Sequence, residues 1–187
     1  MTDPGTTARE RLRPLLRTRQ VRDFAAVPVD RPLLDAIVDA GRWAGSSQNR
    51  QPWRFLVIQD VGAIRRIAEA GLPQTRALRT AMAAIAVVLP VGAEREVVDA
   101  YDDGRAAERM LIAANMLGLG AGITWIRRDV QGAVRPVLGL PADHLIRTIL
   151  AVGHPTEAAL RPKSPPGQAR LPRDEVAFDE RWPEERR

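Results

Sequence analysis

The chain has 187 residues, 45% of them hydrophobic and 27% charged, which is enough apolar material for one packed domain and too little length for two large ones. Its net charge is +5, but the 28 Lys and Arg are scattered among 23 Asp and Glu rather than gathered in a block, which argues against a nucleic-acid partner. Cysteine is absent, which excludes disulfides, thiolate metal sites and a cysteine nucleophile, and no apolar run approaches the roughly 18 residues of a membrane span. With a polar N-terminus and no apolar signal region behind it, the expected location is the cytoplasm.

Residues 1–10 read as a loose polar lead-in, and Leu12, Leu15 and Leu16 follow as a short apolar helical face. Asp30 and Pro32 predict a helix start, and Leu33, Leu34, Ile37, Val38 and Gly41 carry it at helical spacing to about Trp43. Phe55–Ile58 reads as a strand, and Val61, Ile64, Ile67 and Ala68 as one face of a helix ending near Gly71. Ala83–Leu89 reads as a buried strand and Ala106–Leu117 as a helix stopped by Gly118. Asp102 and Asp103 then fall at that helix's N-terminus, where its dipole accounts for them without a catalytic role.

Ala121–Ile126 and Ile146–Val152 are further strands, separated by a helix over Val130–Leu138 that Gly139 and Pro141 terminate. Five prolines between Pro155 and Pro172 predict an irregular surface segment. This alternation predicts an α/β or α+β fold in a single domain over residues 1–187.

Three motifs bear on chemistry. RTRQVRDF, Arg17–Phe24, sets Arg19 and Arg22 before an apolar anchor, where they could face a phosphate or an electron-rich ring; alone they fit a solvated helix end better. WAGSSQNRQPW, Trp43–Trp53, gathers hydroxyls and amides suited to the edge of a flat heteroaromatic ligand; alone it equally fits a capped turn. It is not a G-x-S-x-G nucleophile elbow. GLGAGITWI, Gly118–Ile126, follows a helix and leads into a strand, the reverse of a dinucleotide fingerprint, yet its glycines let main-chain N–H groups approach a ligand. His144 and His154 are the only histidines and have no acidic cluster at ligand spacing, so no metal site is expected.

Taken in order, RTRQVRDF, PVDRPLLDAIVDAGRWAGSSQNRQPWRFLVI, GLGAGITWI, LGLP and RLPRDEV resemble the nitroreductase family from Leu15 to Trp182, most strongly in the N-terminal third. The resemblance implies an α+β fold, with a central, mainly antiparallel sheet flanked by helices. It also implies a homodimer that binds FMN non-covalently at its interface and passes electrons from NAD(P)H to a small organic acceptor, nitroaromatic or quinone-like, by a ping-pong mechanism. Carried over by motif, Arg19, Gln20 and Arg22 lie along the ribityl-phosphate and pyrimidine side of the flavin. Ser46, Ser47 and Asn49 edge the ring, often across the dimer; Thr124, Trp125 and Ile126 form the wall near flavin N5; Arg170 clamps the phosphate. No side chain is expected to act as a catalytic acid or base, because the flavin carries the reaction.

The chain departs from the family where Gln20 replaces a common serine, Gly45 a common proline, and no second basic residue accompanies Gln168. Two alternatives share the resemblance. One is a flavin-fragmenting enzyme of the 5,6-dimethylbenzimidazole-synthase type, whose usual Arg-Arg-Asp-Val-Arg start is replaced here by Thr18–Arg22. The other is a flavin-binding module without turnover.

Overall fold

The computed structural model describes residues 4–165 and 168–182. Helices α1 (Pro4–Arg11) and α2 (Arg13–Arg17) open it, so the lead-in expected to be loose is helical from Pro4 onward. Leu12, Leu15 and Leu16 stay 51%, 47% and 61% exposed, and the apolar face predicted there is left largely uncovered.

Helix α3 (Arg31–Arg42) starts after Asp30 with Pro32 in its first turn, where a missing N–H is harmless, and buries Leu34, Ile37 and Gly41. Strand β1 (Arg54–Ile58) leads into α4 (Val61–Ala70), whose N-cap Asp60 accepts from the Ala63 amide at 3.1 Å and whose inward face is Ala63, Ile64, Ile67 and Ala68. There follow β2 (Ala83–Pro90), α5 (Glu96–Met116), β3 (Gly120–Trp125) and α6 (Gln131–Leu138), closed by Gly139 at φ 63°. Strand β4 (His144–Gly153) and the short α7 (Glu157–Leu160) and α8 (Arg173–Val176) complete the described chain.

The four strands form one antiparallel sheet in the order β1-β2-β4-β3. β2 is apolar throughout because both of its faces are covered. Ala84, Ala86 and Val88 join Ile64 and Ile67 of α4 and Val134 of α6, whereas Ala83, Ile85, Val87 and Leu89 join Leu34 and Ile37 of α3 and Met110 and Leu111 of α5. The result is a helix–sheet–helix sandwich of the expected α+β class. Between Val87 and Val88 the register on β4 steps from Thr148 to Ile146, which leaves Arg147 as a bulged residue whose guanidinium reaches Glu96 at 2.8 Å.

Helix α5 begins at Glu96, ten residues before the expected start at Ala106. Asp102 and Asp103 are therefore interior residues, each only 2% exposed, and not the helix N-terminus. Each has a hydrogen-bond partner distant in sequence: the Ser47 amide for Asp102 and the Thr148 hydroxyl for Asp103. Among the described residues, no helix is long and apolar enough to cross a membrane.

Candidate functional site

The arginine segment is fastened along the outer edge of β3. Gln20 forms a parallel bridge with Ala121, and the Val21 amide donates to the Ala121 carbonyl at 2.7 Å. Val21 and Phe24 turn inward, 6% and 4% exposed, and the Phe24 amide donates to Thr80 Oγ1 at 3.1 Å. Arg19, Gln20 and Arg22 are left facing out, with Arg22 Nη2 donating to Gln20 Oε1 at 3.3 Å. Gly120 and Gly122 permit this contact: a Cβ at Gly120 would lie 2.9 Å from Val21 Cγ1, and one at Gly122 would overlap the Val21 carbonyl oxygen. The close approach expected of these glycines toward a ligand is thus made by the chain's own Arg19–Arg22 segment.

Beside this segment opens a pocket of about 510 Å³ to which Gln20, Arg22, Arg76, Arg79 and Lys163 contribute. Asp23 is the one carboxylate in its wall, and it is tied up by the Thr156 hydroxyl at 3.0 Å. Arg79 also reaches Glu69 at 3.4 Å on the exposed side. The pocket therefore carries a surplus of positive charge, suited to a phosphate and to the electron-rich edge of a heterocycle.

Sequence reasoning missed Arg76, Arg79 and Lys163. Arg76 and Arg79 sit three apart in a 3-10 turn after α4, and Lys163 is the chain's single lysine. None of these signals singles out a site without the fold.

A second cavity of about 340 Å³ between β2, α5 and α6 is also rich in charge, lined by Glu96, Asp99, Arg128, Arg135 and Arg147. There the charges answer one another. Hydrogen bonds from Arg128 and then Arg147 hold the Glu96 carboxyl below its usual range. This is an ion-pair network with less charge to offer an outside anion.

The serine turn forms a second patch. Ser47–Asn49 is one 3-10 turn in which Gln48 and Asn49 have φ of 53° and 55°, with Gln51 at 49° just beyond. The Gln51 amide donates to Ser46 Oγ at 2.9 Å. Three non-glycine residues in the left-handed region within four positions mark a backbone held against its local preference.

Of the predicted wall, Thr124 and Ile126 face the core: Thr124 Oγ1 donates to the Ile149 carbonyl at 2.8 Å, and Ile126 is 3% exposed. Trp125 is 55% exposed at the end of β3. Because Ala121 faces the outer edge, strand alternation also turns the main-chain groups of Ile123 and Trp125 to that edge. Arg170 is exposed, and its guanidinium donates to the Ala169 carbonyl at 2.7 Å; it is not among the residues lining the basic pocket.

The structure thus brings Gln20 and Arg22 into one pocket with Arg19 beside them, and leaves Ser46, Ser47 and Asn49 elsewhere. Gln20 is bridged near the start of β3, whereas the turn is tied to Asp102, whose neighbour Asp103 bonds Thr148 opposite Trp125. Ala121 and Trp125 are four residues apart on the strand, roughly 13 Å. Among the described residues, no hydrogen bond or ion pair joins the two patches. Nor does any group of three or more His, Asp or Glu stand at metal-binding distance among them.

The nitroreductase family model matches residues 15–89. A protein of Archaeoglobus fulgidus named for NADH dehydrogenase/NAD(P)H nitroreductase is 27% identical over 154 residues, covering 79% of this chain and 87% of its own. A solved structure from Parabacteroides distasonis bearing the same name is similar with a TM-score of 0.77 at 28% identity, over 92% of this chain and 99% of that one. A Desulfovibrio desulfuricans protein named as a nitroreductase, solved in complex with FMN, gives a TM-score of 0.73 at 28% identity over 98% of this chain and all (100%) of the other. In its N-terminal signature over residues 15–89 and in its fold, the chain is similar to the nitroreductase family.

Proposed function

We propose that the chain is an FMN-dependent oxidoreductase that passes electrons from NAD(P)H to a small organic acceptor, nitroaromatic or quinone-like, by a ping-pong mechanism, and that it works as a homodimer. The observation that carries this reading is the basic pocket against β3, where Arg22, Arg76, Arg79 and Lys163 outnumber the lone Asp23. Its volume of about 510 Å³ lies in the range of small-molecule and cofactor sites. The FMN in the Desulfovibrio relative supports the choice of ligand.

The donor set fits FMN. Arg76 and Lys163 would neutralise the phosphate, with Arg19 and Arg170 as outlying cations, and Arg22 with Gln20 would meet the pyrimidine and ribityl oxygens. When bound, FMN would supply the redox chemistry, accepting a hydride from NAD(P)H and returning two electrons to the acceptor. Arg22, fixed by Val21 and Phe24 on either side of it, would present positive charge where negative charge gathers on reduction. Trp125 and the outward main chain of Ile123 and Trp125 would border the reacting side of the ring. Ser46, Ser47 and Asn49, held apart from this pocket in one chain, would edge the ring bound by a second copy.

The test is to titrate the purified protein with FMN, following quenching of flavin fluorescence, and then to add NADPH or NADH without oxygen. The expected result is saturable binding, bleaching of the visible flavin absorbance by one of the two donors, and its return when a quinone is added. Protein that cannot be loaded with FMN overturns the reading. Conversion of reduced FMN to a benzimidazole in air would replace the reductase with the fragmenting enzyme.

A further inference from the structure

One face of α5 grips the turn that carries Ser46, Ser47 and Asn49. Asp102, Arg105 and Arg109 recur at helical spacing on that face. The Ser47 amide donates to both carboxylate oxygens of Asp102, at 3.2 and 3.0 Å. Arg105 pairs with Asp102 at 3.5 Å, and its guanidinium fills the space a Cβ at Gly45 would need. Arg109 Nη1 donates to the Trp43 carbonyl at 2.6 Å.

The turn needs such a grip. Gln48, Asn49 and Gln51 have φ of 53°, 55° and 49°, a conformation that side-chain-bearing residues keep only when their surroundings impose it. Within the turn the restraints are the main-chain bonds from the Asn49 amide to the Ser46 carbonyl at 3.0 Å and from the Arg50 amide to the Ser47 carbonyl at 3.1 Å, the bond from the Gln51 amide to Ser46 Oγ at 2.9 Å, and exposed contacts of the Gln51 side chain with Asn49. The buried restraint comes from outside it. Asp102 is 2% exposed, and a bond from an amide to a buried carboxylate is stronger and more directional than one to a neutral acceptor.

The adjacent carboxylate has a separate task. Asp103 points to the sheet, where Thr148 Oγ1 donates to it at 2.6 Å. Two neighbouring buried acids therefore serve two different elements, and only Asp102 touches the turn.

We propose that Asp102 is a positioning residue for the flavin: through the Ser47 amide it sets the geometry of the Ser46–Asn49 ring edge. The inference rests on the flavin reading given above. It makes Asp102 a determinant of how the ring is held, not a group that contacts it.

The experiment compares Asp102→Ala, Asp102→Asn, Ser47→Pro and Asp103→Ala with the wild type, measuring FMN dissociation constant, visible circular dichroism of bound flavin, midpoint potential and melting temperature. Wild type that binds no FMN sinks the flavin reading itself, before the variants are compared. Given wild-type binding, Asp102→Ala and Ser47→Pro, which remove acceptor and donor respectively, are expected to weaken FMN about tenfold and to shift both the dichroism and the potential in the same sense. Asp102→Asn keeps an acceptor and should stay within about threefold of wild type; Ser47→Pro, which breaks the same bond from the donor side, carries the test should Asp102→Ala fail to fold. Asp103→Ala should melt earlier yet bind FMN with the wild-type spectrum and potential. The proposal is overturned if Ser47→Pro leaves FMN binding and spectrum unchanged. It is equally overturned if Asp103→Ala perturbs the flavin as Asp102→Ala does, because both acids would then act only through general stability.

Discussion

Arg22 could be read from the sequence because it stands in a local motif, whereas Arg76, Arg79 and Lys163 reach the same pocket from a turn after α4 and from the proline-rich tail. No local pattern announces a partner that lies about 55 or 140 residues along the chain. The pocket makes opposite predictions for its two signs of charge. Arg76→Ala and Lys163→Ala should each weaken FMN about tenfold, the worth of one charge-assisted contact, and the effect should shrink with added salt. Asp23→Asn keeps an acceptor for Thr156 and removes the one opposing charge, so it should bind FMN at least as tightly as wild type. Fluorescence titration at two salt concentrations checks both, and a weaker Asp23→Asn would place the anion elsewhere. Asp103 supplies a second residue-level prediction. Burial pushes its carboxyl up to about 6, against the Thr148 hydrogen bond and the positive charge of Arg147. In the unfolded chain the same group titrates near 3.8, so between these values the folded state holds the extra proton and stability falls as pH rises. Its contribution is fully present below about pH 4 and lost by about pH 6.5, a change on the order of 2–3 kcal/mol. Asp103→Asn removes this dependence. Urea unfolding of the two proteins across that window should give diverging curves, with the variant gaining on wild type toward neutral pH; parallel curves would contradict the assignment.

At the scale of elements, helices α3 and α4 and strand β2 were legible because their signals are local: an apolar stripe of one period, a capping residue, a continuous buried run. Helix α5 was legible only in its second half. Its first ten residues, EVVDAYDDGR, carry acids and a glycine that read as pre-helical, and what settles their helical state is supplied by Ser47 and Thr148, in a turn and a strand far away in sequence. The same holds for the glycines of β3, whose meaning depends on Val21 lying across them. Gly122→Ala tests that junction. A methyl there would strike backbone rather than a yielding side chain, so the Arg19–Arg22 segment must lift from the strand. The expected loss is about 1–3 kcal/mol of stability together with weakened FMN binding, read by thermal melting and fluorescence titration. Gly132→Ala, on α6 with nothing within 4 Å of the added carbon, is the control and should leave both unchanged or slightly raise stability. Equal effects from the two substitutions would show that the packing of Val21 on β3 does not position the site.

At the scale of the molecule, α5 packs its inner face on the sheet but leaves Val97, Tyr101 and Met116 at 70%, 73% and 69% exposure, while Trp43 at the end of α3 is 71% exposed. Val97 and Tyr101 lie four residues apart on one face of that helix, an apolar spot suited to contact with another surface. A deficit also appears in the site, where the basic pocket and the serine turn do not meet within one chain. A second copy would answer both, covering the α5 face and setting its Ser46–Asn49 turn against the first copy's pocket. The homodimer is an expectation that comes only from the family resemblance, because no composition or periodicity reports where a partner's residues will fall. Sedimentation should therefore find a dimer at micromolar concentration. Tyr101→Glu places a charge in the proposed contact while leaving a side chain already exposed in the single chain, so the monomer's fold should survive. The variant should sediment as a monomer with near-native far-ultraviolet dichroism and should bind FMN at least tenfold more weakly, since half of the ring edge would be missing. A monomeric Tyr101→Glu that holds FMN as tightly as wild type would mean that one chain builds the whole site, and the turn would then need another role.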